Sequence, residues 1–452
     1  MERVCVIGAG SSGIASCQVL KARGIPFDCY EVGSEVGGNW RYQNDNGMSS
    51  AYWSLHINTS RDLMAYRSFP MPEDYPDFPH HTQIAAYFDA YVDHFGFRED
   101  IQFRTEVTDV RPRPDGGWDV TVRRRDSGEV ETHPYAAVLV ANGHHWDPRW
   151  PDFPGEFDGP VIHSHDYKTP EGYEGKNVLV VGFGNSAVDI ACETSRVSKM
   201  TYLSVRRGAH VIPKYLKGRP VDELNTPFTS RLPFWLQRTL YARMLKKVNG
   251  KMSDYGLPEP DHKLGEAHPT ISAELLNRIV HGRVRPKPNI ERLEGDRVRF
   301  ADGTVEQIDR IVYCTGYNIT FPFLDDDIVR VEDNHVRLYK RVVPPGIDGL
   351  FFIGLLQPLG AIMPLAEAQS EWVADLFEGK AKLPSEEQMH KEIARDEKRL
   401  RKRYVASARH TIQVDFWDYM RSVEKERKRK RGRDVSLRAL AGRREAPAPV
   451  AA

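Results

Sequence analysis

Residues 3–31 read RVCVIGAGSSGIASCQVLKARGIPFDCYE. Arg3 to Ile7 is an apolar run of strand type that ends in a glycine-rich turn. Ser12 to Arg23 follows with helical periodicity, and Phe27 to Glu31 reads as a second strand. The three pieces predict a βαβ unit of about thirty residues. Its turn, Gly8-Ala9-Gly10-Ser11-Ser12-Gly13, has the G-x-G-x-x-G pattern. The first glycine permits the turn, the second lets backbone approach a pyrophosphate, and the third lets helix and strand pack closely. The helix N-terminus offers free N–H groups and a positive dipole to phosphates. Glu31 closes the second strand, where a carboxylate accepts hydrogen bonds from an adenosine ribose.

Residues 177–207, NVLVVGFGNSAVDIACETSRVSKMTYLSVRR, repeat the pattern. Asn177 to Val181 and Met200 to Val205 read as strands, and Ala187 to Ser195 as the helix. The turn Gly182-Phe183-Gly184-Asn185-Ser186-Ala187 has alanine in its last position, which leaves slightly more room between helix and strand. Asp189 on that helix is grouped with the nucleotide contacts. Glu31 lies 23 residues after Gly8, and Arg206 lies 24 residues after Gly182. The acid of the first unit is thus replaced by Arg206-Arg207 in the second. A carboxylate repels a 2′-phosphate, whereas a guanidinium binds it with paired hydrogen bonds. The second site therefore reads as an NADPH site and the first as one for a nucleotide with a free 2′-OH. The fold class is α/β with two Rossmann-like units.

Composition sets the outer bounds. The chain has 452 residues, 40% hydrophobic and 28% charged, with 63 basic residues balancing 63 acidic ones. The balance argues against nucleic acid as a partner. Cys5, Cys17, Cys29, Cys192 and Cys314 form no C-x-x-C pair and read as buried free thiols of a reducing compartment. The chain opens directly on a strand and has no run of 18 apolar residues. No signal peptide, no transmembrane anchor and a cytoplasmic location are expected. The histidines His80-His81 and His144-His145 have no ligand spacing with Cys or Glu, so no metal is expected.

Further stretches resemble the flavin-containing monooxygenases, the class B flavoprotein monooxygenases. They include Gly37-Gly38-Asn39-Trp40, then Asn58-Thr59-Ser60, and Phe69-Pro70-Met71-Pro72-Glu73-Asp74-Tyr75-Pro76. Phe157-x-Gly159-x-x-x-His163-x-x-x-Tyr167 is similar to the family fingerprint. Cys314-Thr315-Gly316-Tyr317 and Ile353 to Gly360 match later segments. The resemblance covers roughly residues 1 to 420. It implies FAD in the first site, with the NADPH domain inserted in the FAD domain. The expected division is 1–150 and 321–420 for FAD and 151–320 for NADPH. Residues 214–282 are expected to be an irregular insertion and 421–452 a basic, disordered tail.

The resemblance also implies the chemistry. NADPH reduces FAD, O2 is captured as a C4a-hydroperoxyflavin, and a soft nucleophile, an amine or sulfide, takes up one oxygen. Asn58 is the residue expected to act beside flavin and nicotinamide, because an amide donates and accepts hydrogen bonds yet removes no proton. Asn39, Trp40, Thr59 and Gln357 are expected to touch the cofactor. His163 and Tyr167 are read as positioning the link between domains. Tyr167-Lys168 departs from the Trp ending of the Baeyer–Villiger relatives, which favours N- or S-oxygenation over ketone oxidation. The charged C-terminus, in place of a hydrophobic anchor, favours a soluble bacterial-type member. Three readings stay in competition with the leading one. They are a Baeyer–Villiger monooxygenase, a disulfide reductase-like flavoenzyme, which the missing cysteine pair disfavours, and a nucleotide-sensing protein without turnover. Pocket walls are expected from residues 52–75, 214–282 and 355–370. The insertion is compatible with either a homodimer interface or a cover over the active site.

Overall fold

A computed structural model describes residues 3–224, 226, 229–231, 233–404 and 411–442. The first unit forms β1 (Val4–Ile7), α1 (Ser11–Ala22) and β2 (Phe27–Tyr30). β1 pairs in parallel with β2, Val4 opposite Phe27 and Ile7 opposite Tyr30. Ala137–Val140 pairs on its other side, Leu350–Phe352 lies beyond that, and Ile101–Gln102 completes a five-stranded sheet. A parallel strand covered on both faces needs apolar side chains at every position. Val4 and Val6 face the core shared with α1 and the helix Met363–Phe377, while Cys5 and Ile7 face a second core. That second core lies under a three-stranded antiparallel sheet of Thr105–Pro112, Trp118–Arg124 and Val130–Tyr135. Full burial of a Val or Ile side chain contributes roughly 1.5–3 kcal/mol, so the VCVI run anchors the first half.

The second unit is built alike, from β3 (Asn177–Val181), α2 (Asn185–Thr194) and β4 (Met200–Ser204). Its sheet runs Val161–His163, Arg310–Tyr313, β3, β4, Val284–Lys287, all parallel. Val178 and Val180 face one core, Leu179 and Val181 the other. The chain crosses from the first sheet to the second at Asp147–Pro148 and returns at Tyr317–Asn318. These two crossings pair with each other antiparallel.

Two segments differ from expectation. The described part of residues 214–282 is only partly irregular. It holds an antiparallel hairpin of Tyr215–Leu216 with Arg219–Pro220, the 16-residue helix α3 (Phe234–Asn249) and a short helix Leu275–Val280. The segment after 420 is not a disordered tail as far as residue 442. It continues α4 (Phe416–Arg427) and adds the helix Leu437–Gly442. Val423, Val435, Leu437 and Leu440 are buried in the first core. Three arginines of the basic run that hid this apolar face are ion-paired. Arg427 bonds Glu371 and Asp375, Arg429 bonds the buried Glu426, and Arg433 bonds Asp348. The end of the tail, 443–452, lies outside the described residues.

Candidate active site

Both glycine turns open on one cavity of about 1630 Å³. Gly8, Gly10, Ser11 and Ser12 line it from the first unit, and Gly182 through Ala187 from the second. Gly13 does not reach the cavity. It lets α1 sit against the turn, since a Cβ there would lie 1.8 Å from the Gly8 carbonyl oxygen. Gly182 has a φ of +128°, and a Cβ on it would lie 2.6 Å from the Cys314 carbonyl oxygen. Neither α1 nor α2 has a side-chain N-cap or an acid in its first turn. Their first N–H groups are thus left to a ligand, and an anion is the species that suits such a helix end. The residues present fit two dinucleotides.

Glu31 lines the cavity but is 4% exposed. Its carboxylate accepts from Ala9 N–H at 2.7 Å, Gly33 N–H at 2.8 Å and Asn46 Nδ2 at 3.2 Å. Burial raises its pKa, and these hydrogen bonds oppose the rise. Glu31 therefore first fastens the glycine turn to β2, and Ala9 contributes through its backbone from behind. Asn39 and Trp40 also line the cavity. The Asn39 side-chain oxygen is already taken, accepting from Ser50 N–H at 2.9 Å and Ser50 Oγ at 2.7 Å.

The two arginines at the end of β4 are not equivalent. Both line the cavity. Arg207 Nε bonds Asp261 Oδ2 at 2.6 Å, whereas Arg206 is exposed and has no bonded partner among the described residues. Asp189 departs from expectation, because it is absent from the cavity wall. It accepts from the hydroxyl of Tyr52, which does line the wall, at 2.6 Å. Four residues along α2, Glu193 accepts from Tyr167 Oη at 3.1 Å, so the fingerprint tyrosine ties the linker to α2. Trp150 and His163 lie with rings 5.7 Å apart at the same crossing.

Burial lifts the Asp189 carboxyl from 3.8 to about 6, and the Tyr52 hydrogen bond opposes the rise. A carboxyl raised on folding favours the folded state at low pH, and that advantage is lost as pH rises through about 6. Asp189→Asn keeps an acceptor for Tyr52 and removes the charge. The variant should match wild type in urea midpoint near pH 4. It should gain on wild type between pH 4 and 7 by about 1–2 kcal/mol, less than the full ~3 because part of the group stays open to solvent. A gap that narrows as pH rises would contradict the assignment.

Asn58, Thr59 and Gln357 line the cavity. Among the described residues no hydrogen bond engages the Asn58 side chain, so its amide is available to a ligand. The strand Gln357–Leu359 pairs with Gln413–Asp415, which brings Phe416 and Trp417 of α4 into the wall. From α3 come Gln237, Arg238, Tyr241 and Leu245, and from the following loop His262 and His268. The insertion thus contributes to the cavity wall. The α4 aromatics were missed because the charge of the C-terminal segment concealed them.

Two Rossmann-type units, one threaded through the other and sharing a cavity, define a two-dinucleotide oxidoreductase. The chain belongs to the flavin-binding monooxygenase-like family, whose model matches residues 1–432. It is an FAD-containing, NADPH-dependent monooxygenase. Flavin-containing monooxygenase 5 of Rattus norvegicus is 40% identical, the match covering 93% of this chain and 82% of the relative. Dimethylaniline monooxygenase [N-oxide-forming] 2 of the same species is 39% identical, covering 93% and 81%. Among solved structures, the S-allyl-L-cysteine S-oxygenase from Allium sativum has a TM-score of 0.73 at 25% identity, covering 97% of this chain and 91% of that one. Identity of this order to mammalian enzymes lends no support to a bacterial-type subclass.

Proposed function

We propose that this monooxygenase N- or S-oxygenates small amines or sulfides, spending NADPH and O2. The observation that carries the reading is the uncharged Asn58 amide, open on a cavity that joins both nucleotide turns. FAD held at the first glycine turn would supply the redox chemistry, hydride acceptance from NADPH and activation of dioxygen. The chain supplies position and shelter. The α1 and α2 N-termini hold pyrophosphates, and Glu31 meets the adenosine ribose of FAD. Arg206 meets the 2′-phosphate of NADPH, and Asn58 orients groups at the reacting end without removing a proton. The walls from α3 and α4 exclude water. The N-oxide-forming and S-oxygenating relatives support this choice of substrate class.

A panel of tertiary amines, thioethers and cyclic ketones with product analysis tests the proposal. N-oxide or sulfoxide formed in step with NADPH use is the expected result. Lactone from the ketones, with no amine or sulfide product, would replace it by the Baeyer–Villiger reading. We also read the protein as acting in the cytoplasm. The five free cysteines support that reading. No helix among the described residues is long and apolar enough to cross a membrane.

The arginine contrast yields a separate prediction. Arg206→Ala removes charge-assisted hydrogen bonds to a 2′-phosphate, about 1.5–3 kcal/mol, or roughly tenfold to a hundredfold in the NADP+ dissociation constant. Arg207→Ala should cost several-fold less, because Asp261 already competes for that guanidinium. Fluorescence titration with NADP+ decides. Equal losses for the two variants would contradict the contrast.

A further inference from the structure

The Asn58 loop belongs to the first half of the chain but is gripped from the second. Lys214 Nζ donates to the Ile57 carbonyl at 3.1 Å, and Ser60 N–H donates to Asp222 Oδ2 at 2.6 Å. These bonds fall on either side of Asn58. The Ile57 carbonyl belongs to the peptide group whose nitrogen is that of Asn58, so its orientation sets the direction in which the Asn58 side chain leaves the backbone.

Lys214 and Asp222 are themselves neighbours. They flank the hairpin of Tyr215–Leu216 and Arg219–Pro220, whose base closes with Val221 N–H donating to the Lys214 carbonyl at 2.9 Å. Lys214 also lies over the Phe78 ring, 4.9 Å from its centroid. One compact element following β4 therefore presents a cation and an anion to the two ends of a four-residue stretch, Ile57 to Ser60. Asp222 Oδ1 and Ser60 Oγ are buried and have no partner among the described residues. The Ser60 N–H is thus the partner that accounts for a carboxylate at this place. On its own side the loop is held by backbone bonds, Ile57 N–H to Pro79 O at 3.1 Å and His81 N–H to Leu55 O at 2.9 Å. None of those fixes the 57–58 peptide carbonyl.

We propose that Lys214 and Asp222 are positioning residues, and that the 214–222 hairpin is a clamp that aims the Asn58 amide from the nicotinamide half of the molecule. The inference rests on the reading of Asn58 given above. A few residues that join two domains at the reacting end make the geometry of that end depend on how the halves sit together. Small errors of position in such a place are expensive for rate and for selectivity of product.

Lys214→Met keeps the length of the side chain and loses the donor, and Asp222→Ala loses the acceptor. Lys214→Arg and Asp222→Asn retain a donor and an acceptor. In FAD-loaded protein without NADPH, both disruptive variants should keep full FAD content. Amide hydrogen exchange at residues 57–62 should accelerate by about tenfold with the remainder of the first sheet unchanged. During turnover, hydrogen peroxide released per NADPH should rise by about threefold or more, and the conservative variants should restore both readings. Faster exchange with an unchanged peroxide fraction would make the hairpin scaffolding only and overturn the proposal, as would no change in either reading. Asn58→Leu is run beside them. If that variant leaves the peroxide fraction unchanged, the Asn58 reading itself falls. If it raises the fraction while Lys214→Met and Asp222→Ala do not, the clamp alone is wrong.

Discussion

Gly13→Ala should give a folded but colourless protein, with little or no FAD after purification. The added Cβ would sit 1.8 Å from the Gly8 carbonyl oxygen, less than any non-bonded contact allows. α1 has nowhere to retreat. Gly13 through Leu20 are all buried, and Ser16 Oγ is hydrogen-bonded to Ser370 Oγ of the neighbouring helix at 3.0 Å. The strain of forcing a methyl group into such a contact is about 1–3 kcal/mol or more, and it falls on the turn that receives the pyrophosphate. Gly10→Ala is the informative companion. Its Cβ would meet only the Gly38 Cα, at an ordinary 3.7 Å. The protein tolerates that methyl by itself, so any FAD lost there reflects a clash with the ligand. Flavin absorbance against protein concentration, with a urea midpoint for each variant, separates the two causes. Stoichiometric FAD in Gly13→Ala would refute the close-approach argument.

Asn58→Leu should leave FAD bound and NADPH still consumed, yet cut oxygenated product by about tenfold to a hundredfold as the electrons drain to hydrogen peroxide. The substitution preserves approximate size and removes both the donor and the acceptor of the amide. Because Asn58 bonds nothing among the described residues, the unliganded fold loses little, and the loss is confined to turnover. Simultaneous assay of NADPH, peroxide and product measures the partition. A variant that makes product at the wild-type ratio would remove Asn58 from the chemistry.

The two glycine turns, their strands and their helices were legible in the sequence because each is local. A buried strand, a tight turn and a helix within thirty residues leave a pattern in neighbouring side chains. The placement of Glu31 and Arg206 beside the cavity, each just after its strand, was legible for the same reason. What the sequence did not disclose depends on residues distant in the chain. Asp189 has the look of a ligand contact at its place on α2, but its oxygen is engaged by Tyr52, 137 residues away. Arg207 resembles Arg206 until Asp261 is brought to it from 54 residues further on. The segment after 420 looked unfolded because its charges outnumber its apolar residues. Three of the acids that pair those charges, Glu371, Asp375 and Asp348, lie outside it. Phe416 and Trp417 reach the cavity through a strand pairing with Gln357–Leu359 that no local pattern foretells. Period and turn chemistry report what a segment does by itself, while site composition is settled by which segments meet.

The chain departs from the first sheet at Asp147–Pro148 and comes back at Tyr317–Asn318, and these two passages lie side by side as paired strands. In topological terms the whole nicotinamide half is one long excursion with both feet on the same spot. Such a module can be exchanged between homologous scaffolds with two neighbouring splices, leaving the flavin sheet uncut. A transplant of that kind would carry over Arg206 and the 214–222 hairpin, while Asn58 would stay with the host. Chimeras cut at the two crossings therefore separate coenzyme choice from oxygen-transfer fidelity as heritable traits. The first should travel with the graft, and the second should depend on whether the graft's hairpin matches the host's loop.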